Sequence, residues 1–131
     1  MLSGGCLCGG VRYALEDTLG PIELCHCTQC RRASGSAFAA NATVAACALR
    51  LVAGAGLVTE YESSPGKLRA FCGRCGSPLY ARRPAAPAEL RLRVGTLDDD
   101  PAARPSGHWH VATKAAWFTI TDDLPQHPDE A

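Results

Sequence analysis

The sequence predicts a mainly β fold with one or two short helical turns. Three observations lead there. Apolar residues alternate with polar ones at period two, as in Val11, Tyr13 and Leu15 and again in Leu90, Leu92 and Val94, which is the pattern of strands with one wet face. These runs are short and are separated by many of the 13 glycines and nine prolines, residues that mark turns. Only two short stretches suit a helix.

Taken in order, strands are expected at 10–15, 22–25, 37–43, 49–52, 57–62, 67–72, 78–81, 90–94 and 109–112. A first helical turn is expected just after Cys27, with Thr28 capping residues 29–33. A second is expected near residues 114–118. The segment 83–88 carries Pro84 and Pro87 and should be an irregular surface loop. The tail from Pro125 onwards is expected to be loose.

Composition narrows the function. The chain has 131 residues, 47% hydrophobic and 20% charged, which suits one folded domain over residues 1–131. Its 13 basic and 13 acidic residues cancel, which argues against a general nucleic-acid binder, since that needs a basic face. No basic segment followed by an apolar run marks a signal peptide. The Ala-rich stretch 37–53 is interrupted by Asn41, Thr43 and Arg50 and is too short and polar to cross a bilayer. A cytoplasmic protein that meets neither membrane nor nucleic acid is therefore expected. Thiols stay reduced in that compartment, so eight cysteines read as metal ligands rather than disulfides.

Seven of the cysteines are clustered. Cys6 and Cys8 form a C-x-C pair, Cys25, Cys27 and Cys30 a C-x-C-x-x-C group, and Cys72 and Cys75 a C-x-x-C pair. In a strand, residues i and i+2 share a face, so C-x-C presents two sulfurs side by side. In C-x-x-C a tight turn brings both sulfurs to one metal, and Gly73 and Gly76 are expected to supply its unusual backbone angles. The two pairs make four ligands, a closed tetrahedral zinc site of Cys6, Cys8, Cys72 and Cys75. Cys25, Cys27 and Cys30 give three ligands to a second zinc and leave a position open, the mark of a working rather than a structural ion. Cys47, His108 or His110 could close that site as a fourth ligand. Zinc with three thiolates carries a net charge of −1, and a fourth thiolate makes it −2, which calls for nearby positive charge. Arg31 and Arg32 follow the cluster directly and are candidates to offset it or to bind the carboxylates of a substrate.

The ordered set GGCLCGGVRY, CHCTQCRRASGSAF, FCGRCGSPLY, VGTLDD and HWHV…AAW resembles the glutathione-dependent formaldehyde-activating enzyme family over about residues 4–117. The resemblance implies a β-tent of twisted antiparallel sheets stapled by zinc. It implies a structural zinc on Cys6, Cys8, Cys72 and Cys75, and a catalytic zinc on Cys25, Cys27 and Cys30 that meets the sulfur of glutathione. The implied activity is that of a carbon–sulfur lyase similar to S-(hydroxymethyl)glutathione synthase, joining glutathione, or another small thiol, to formaldehyde or a related aldehyde. The alternative is a non-catalytic zinc-stapled β-tent module that binds a protein or small-molecule partner, which a closed second site would favour. A β-tent methionine-sulfoxide reductase fits the C-x-C pairs poorly.

Other residues read as structural. Cys47 is expected to be a small core residue, and His108 and His110 to serve structure rather than metal. Trp109 and Trp117 are expected in the core or a pocket wall. Asp98, Asp99 and Asp100 are expected in a solvated turn before Pro101. The serines of the segment 33–37 have no identifiable base beside them and are discounted as nucleophiles.

Overall fold

The computed structural model describes residues 1–129 and is mainly β. Ten strands are present: β1 (Leu2–Gly5), β2 (Arg12–Leu15), β3 (Ile22–Cys25), β4 (Ala39–Ala45), β5 (Leu49–Ala53), β6 (Val58–Ser64), β7 (Lys67–Cys72), β8 (Pro78–Arg82), β9 (Glu89–Arg93) and β10 (Pro105–Trp109). Among the described residues a single α-helix, α1 (Thr28–Ser34), follows β3, and short 3-10 turns sit between strands. No helix of the described residues is long and apolar enough to cross a membrane.

The strands form two sheets. The smaller has the order β1-β2-β5, and the larger has β10-β3-β4-β9-β8-β7-β6. Period two gives the larger sheet two different faces. Leu24, Ala42, Val44 and Leu92 are buried on one face and meet Tyr13 and Leu15 of the smaller sheet in the main core. Each fully buried Leu contributes about 1.5–3 kcal/mol. The opposite face carries Glu23 and Cys25 of β3, Asn41 of β4, Arg91 and Arg93 of β9, and Lys67 and Arg69 of β7. The register aligns Glu23 with Asn41 and Asn41 with Arg93, and Arg91 with Ala81 and Ala81 with Arg69. A second apolar cluster of Val11 and Leu79 lies around Cys6 and Cys72.

Several expectations need correcting. Pairing is antiparallel except between β10 and β3, which run parallel. Strand β1 was not expected, because Ser3-Gly4-Gly5 shows no side-chain alternation; backbone pairing with β2 makes it a strand. The last strand lies at Pro105–Trp109 rather than 109–112. Pro105 is tolerated as its first residue, and His110 at φ 58 ends it and leads into a 3-10 turn at Val111–Thr113. Residues 114–118 form no helix, only a turn in which Phe118 N–H donates to Ala115 O at 3.2 Å. The tail is not loose over its described part. His108 N–H donates to Pro125 O at 2.9 Å and His127 N–H to His108 O at 2.8 Å, so this segment runs alongside β10. The last two residues of the expected tail lie outside the described residues.

Candidate functional site

The first cysteine group is built on turns. Cys6 and Cys8 lie in the turn joining β1 and β2 rather than in a strand, and Cys72 ends β7 with Cys75 in the turn before β8. All four sulfurs lie within 4.8 Å of one another. Cys6 Sγ is 3.5 Å from Cys8 Sγ, and Cys8 Sγ is 3.9 Å from Cys72 Sγ. A tetrahedral zinc with ordinary Zn–S bonds holds sulfurs about 3.8 Å apart, so the donor set fits such an ion. Backbone N–H groups aim at the sulfurs, from Val11 to Cys6 at 3.2 Å and from Arg74 to Cys72 at 3.4 Å. The Val11 N–H holds the Cys6 thiol below its ordinary value. The Ser77 hydroxyl, 3.3 Å from Cys75 Sγ, holds that thiol down at about 5. Ser77 Oγ also accepts from Leu7 N–H at 2.8 Å, which ties the two turns together. Of the two glycines, only Gly76, at φ +80, has the left-handed backbone expected of it. Gly73 is needed for space, since a Cβ there would meet Thr59 Oγ1 at 2.6 Å.

The second group sits where β3 passes into α1. Cys25 ends the strand, Cys27 caps the helix, and Cys30 is buried within it. Cys27 takes the capping role expected of Thr28, because its Sγ accepts from Cys30 N–H at 3.3 Å. Gly35, at φ 63, ends the helix with its N–H on Arg31 O at 2.8 Å. The three sulfurs lie within 4.8 Å of one another, and none of Cys47, His108 and His110 joins them. The set therefore fits a metal ion with three sulfur ligands. Hydrogen bonding from Cys25 and Cys27, helped by Arg69, holds the Cys30 thiol far below the ordinary thiol range. Sharing with Cys27 and Cys30, with burial added, pushes Cys25 up.

Positive charge reaches this group from the sheet. Arg69 is buried, and its guanidinium nitrogens approach Cys30 Sγ at 3.8 and 3.9 Å. Ser63 Oγ at 3.0 Å and Gln29 Oε1 at 3.4 Å hold the same guanidinium. Arg93 is also buried and donates to Asn41 Oδ1. Burial disfavours its charge, while the nearby Cys30 and Cys25 favour it. A cleft of about 150 Å³ opens over the sulfurs; Lys67, Arg83, Arg93, Trp109 and His110 are among its walls. Burial lowers the ammonium pKa of Lys67 and Arg69 lowers it further, while Cys30 acts the other way.

Arg31 and Arg32 are not brought to this cleft. They border a separate depression with Trp117, and Arg31 donates to Thr113 O at 3.0 Å. Trp117 is 71% exposed, so it is neither core nor a wall of the cysteine cleft, whereas Trp109 is such a wall. Cys47 is exposed, not a core residue. The aspartates lie in an exposed turn as expected, but Asp98 pairs with Arg12 and Asp100 with Arg104. Ser34 Oγ donates to Cys30 O at 2.7 Å, a local role.

The sequence reading missed a buried chain beside the second group. His26, between two of its cysteines, is fully buried, and its Nε2 lies 2.8 Å from His108 Nδ1. His108 Nε2 lies 3.0 Å from Asp122 Oδ2. Burial lowers the His26 pKa, and the hydrogen bond with His108 lowers that of Asp122. Arg69, Arg93 and Lys67 were missed as well. The available signal was a charged residue at every second position of two apolar strands, Lys67 and Arg69 in one and Arg91 and Arg93 in the other.

A family model described as glutathione-dependent formaldehyde-activating enzyme matches residues 1–113. A crystal structure of a Rhodobacter sphaeroides protein is similar, with a TM-score of 0.64 and 30% sequence identity, over 75% of this chain and 89% of that chain. Among curated proteins none matches.

Proposed function

From the premise that this chain belongs to the glutathione-dependent formaldehyde-activating enzyme family, we propose that it joins glutathione to formaldehyde at Cys25, Cys27 and Cys30, as a cytoplasmic carbon–sulfur lyase holding two zinc ions. In this reading Cys6, Cys8, Cys72 and Cys75 hold the structural ion, and the whole chain acts as one domain. The observation that carries it is the contrast in ligand number and surroundings. One group has four sulfurs backed by apolar residues; the other has three that open into a cationic cleft.

Zinc at the three-cysteine group would favour the thiolate form of an incoming thiol and act as a Lewis acid toward an oxygen. The chain's own residues do the rest. Arg69 and Arg93 offset the negative charge that gathers as a further sulfur arrives. Lys67 and Arg83 at the cleft wall suit the carboxylates of glutathione, because guanidinium and ammonium groups bind carboxylates through charge-assisted hydrogen bonds. Arg31 and Arg32, which border the separate depression beside Trp117, remain a second candidate pair for those carboxylates. His26, His108 and Asp122 hold the Cys25–Cys27 loop against β10 and fix where the sulfurs point, as outer hydrogen bonds do for metal ligands.

Cobalt substitution tests the reading, since sulfur-to-cobalt charge-transfer absorption counts thiolates. Glutathione should raise that count from three to four at one site. S-methylglutathione, which has no thiolate to offer, should leave it at three. If another small thiol alters the spectrum and glutathione does not, the enzyme class stands and the substrate is wrong. If no thiol alters it, the non-catalytic module replaces this reading.

A further inference from the structure

We propose that Cys8 is a peroxide-sensitive modification site, oxidised ahead of the other sulfurs of its group and closed by Cys6 into a disulfide that lets the structural ion go. The inference rests on the reading of Cys6, Cys8, Cys72 and Cys75 as zinc ligands and is independent of the reaction at the other group.

The four sulfurs are not equivalent. Cys6 and Cys72 are buried and Cys75 is half-buried, whereas Cys8 is exposed. It stands at the tip of the β1–β2 turn, between Leu7, which is 87% exposed, and the exposed Gly9. The outer hydrogen bonds differ as well. Cys6 and Cys72 accept from the backbone N–H groups of Val11 and Arg74, and Cys75 has the Ser77 hydroxyl beside it. Cys8 instead accepts from a side chain, Arg74 Nε at 3.3 Å. Gly10 makes room for that guanidinium, since a Cβ there would meet Arg74 Nη2 at 2.5 Å. A charge-assisted hydrogen bond draws on the lone pairs that a metal ligand also uses. Cys8 is thus the ligand with the most competition for its electrons and the freest approach from water. Redox-sensitive cysteines are accessible thiolates beside a cation, with a second cysteine close by. Arg74 is the cation here, and Cys6 Sγ, 3.5 Å away, is the second cysteine. Cys47 is exposed too, but among the described residues neither a cation nor another cysteine is hydrogen-bonded to it.

The chemistry is a two-electron oxidation by a hydroperoxide. Cys8 Sγ attacks a peroxide oxygen of hydrogen peroxide. An S–O bond forms, the O–O bond breaks, and the leaving hydroxide takes a proton to become water. Cys6 Sγ then attacks the sulfur of the resulting sulfenic acid. An S–S bond forms, the S–O bond breaks, and the oxygen departs with a further proton as a second water. Two thiolates lose two electrons to the peroxide, which is reduced to two waters. A disulfide is a poor metal donor, so the group keeps only Cys72 and Cys75 as thiolates, and the metal tie between the two turns is lost.

Substoichiometric hydrogen peroxide on the zinc-loaded chain tests this, with a cyclic dione present to trap sulfenic acids and peptide mass spectrometry to place them. Adducts at Cys8 should outnumber those at Cys6, Cys72, Cys75 and Cys47 together. Even labelling across the group, or labelling confined to Cys25, Cys27 and Cys30, would overturn the proposal. Without the trap, a chelating dye should report an ion released for each Cys6–Cys8 disulfide, and a reducing thiol with added zinc should restore the near-ultraviolet spectrum. Retention of the ion by disulfide-bonded protein would overturn the link between oxidation and release. Arg74→Gln keeps an exposed polar side chain without the cation, and should slow labelling of Cys8 severalfold at unchanged zinc content; an unchanged or faster rate would overturn the role of Arg74. The zinc content of untreated protein reports separately on the metal. Its absence from this group would overturn the zinc reading, while the labelling pattern still decides which sulfur peroxide meets.

Discussion

The two cysteine groups offer the same ligand atom, and the difference between them lies in what surrounds the sulfurs. In the first, both halves sit in turns, Val11 and Leu79 fill the space behind, and the sulfurs receive hydrogen bonds from backbone N–H and from Ser77. Four ligands leave a tetrahedral ion no free position. In the second, two ligands flank the end of β3 and the third lies on α1, while the space behind holds buried arginines instead of leucines. A buried guanidinium is tolerated only where negative charge compensates it. Arg69 accordingly favours negative charge on Cys30, and Cys30 and Cys25 in turn favour the charge of Arg93.

The largest expected effect breaks the first group. Cys72→Ser removes a fully buried ligand that joins the β1–β2 turn to the β7–β8 turn. Structural zinc sites contribute ~10–16 kcal/mol, as much as the whole net stability of a typical domain, ~5–15 kcal/mol. The variant should be insoluble or lack a native near-ultraviolet spectrum; a normal melting point would show that this group does not staple the fold.

Less drastic is removal of the second ion. Cys27→Ser, or mild chelation of the native protein, should release about one of two bound ions, because open sites exchange more readily, and the β fold should persist by circular dichroism. Release of both ions together with unfolding would erase the distinction between the groups.

These two predictions differ in how far the sequence alone supports them. The spacing of seven cysteines carries the division into four and three, because metal coordination fixes ligand number independently of the fold. Strands such as β2 and β9 were legible from period-two alternation. The surroundings of the second group were not. Arg69 and Arg93 meet the sulfurs only through the lateral register of β7, β8, β9 and β4, a long-range pairing that no local pattern encodes. His26 was hidden differently: it stands between two cysteines with no pattern of its own, and its partner His108 lies 82 residues away. The ordered tail escaped because its hydrogen bonds to β10 are made by backbone and leave no side-chain signature.

A finer test removes one arginine. Arg69→Met keeps most of the side-chain volume but takes the guanidinium away from Cys30. Loss of an outer partner of a metal ligand costs about 10–100-fold in metal affinity. Competition with a chelating dye should show that drop at the second ion alone, with the first unchanged. Equal weakening of both would mean that Arg69 serves the β6–β7 hairpin rather than the sulfurs.

The smallest expected effect concerns the pair the sequence singled out. Arg31 and Arg32 follow Cys30 by one and two residues, but a helix turns about 100° per residue, so neighbours in sequence do not share a face. Arg31 is already engaged with Thr113 O, and both arginines border the shallow depression beside Trp117 rather than the cleft over the sulfurs. A direct charge-assisted hydrogen bond to a carboxylate would be worth ~1.5–3 kcal/mol, whereas a solvated surface charge is worth less than about 1 kcal/mol. Arg31→Ala and Arg32→Ala should therefore change glutathione affinity, read from the cobalt spectrum, by less than about 1 kcal/mol each. Arg83→Ala, at the cleft wall, should cost more than either. The reverse order would mean that the glutathione backbone runs over the outside of α1 toward Trp117, with only its sulfur entering the cleft.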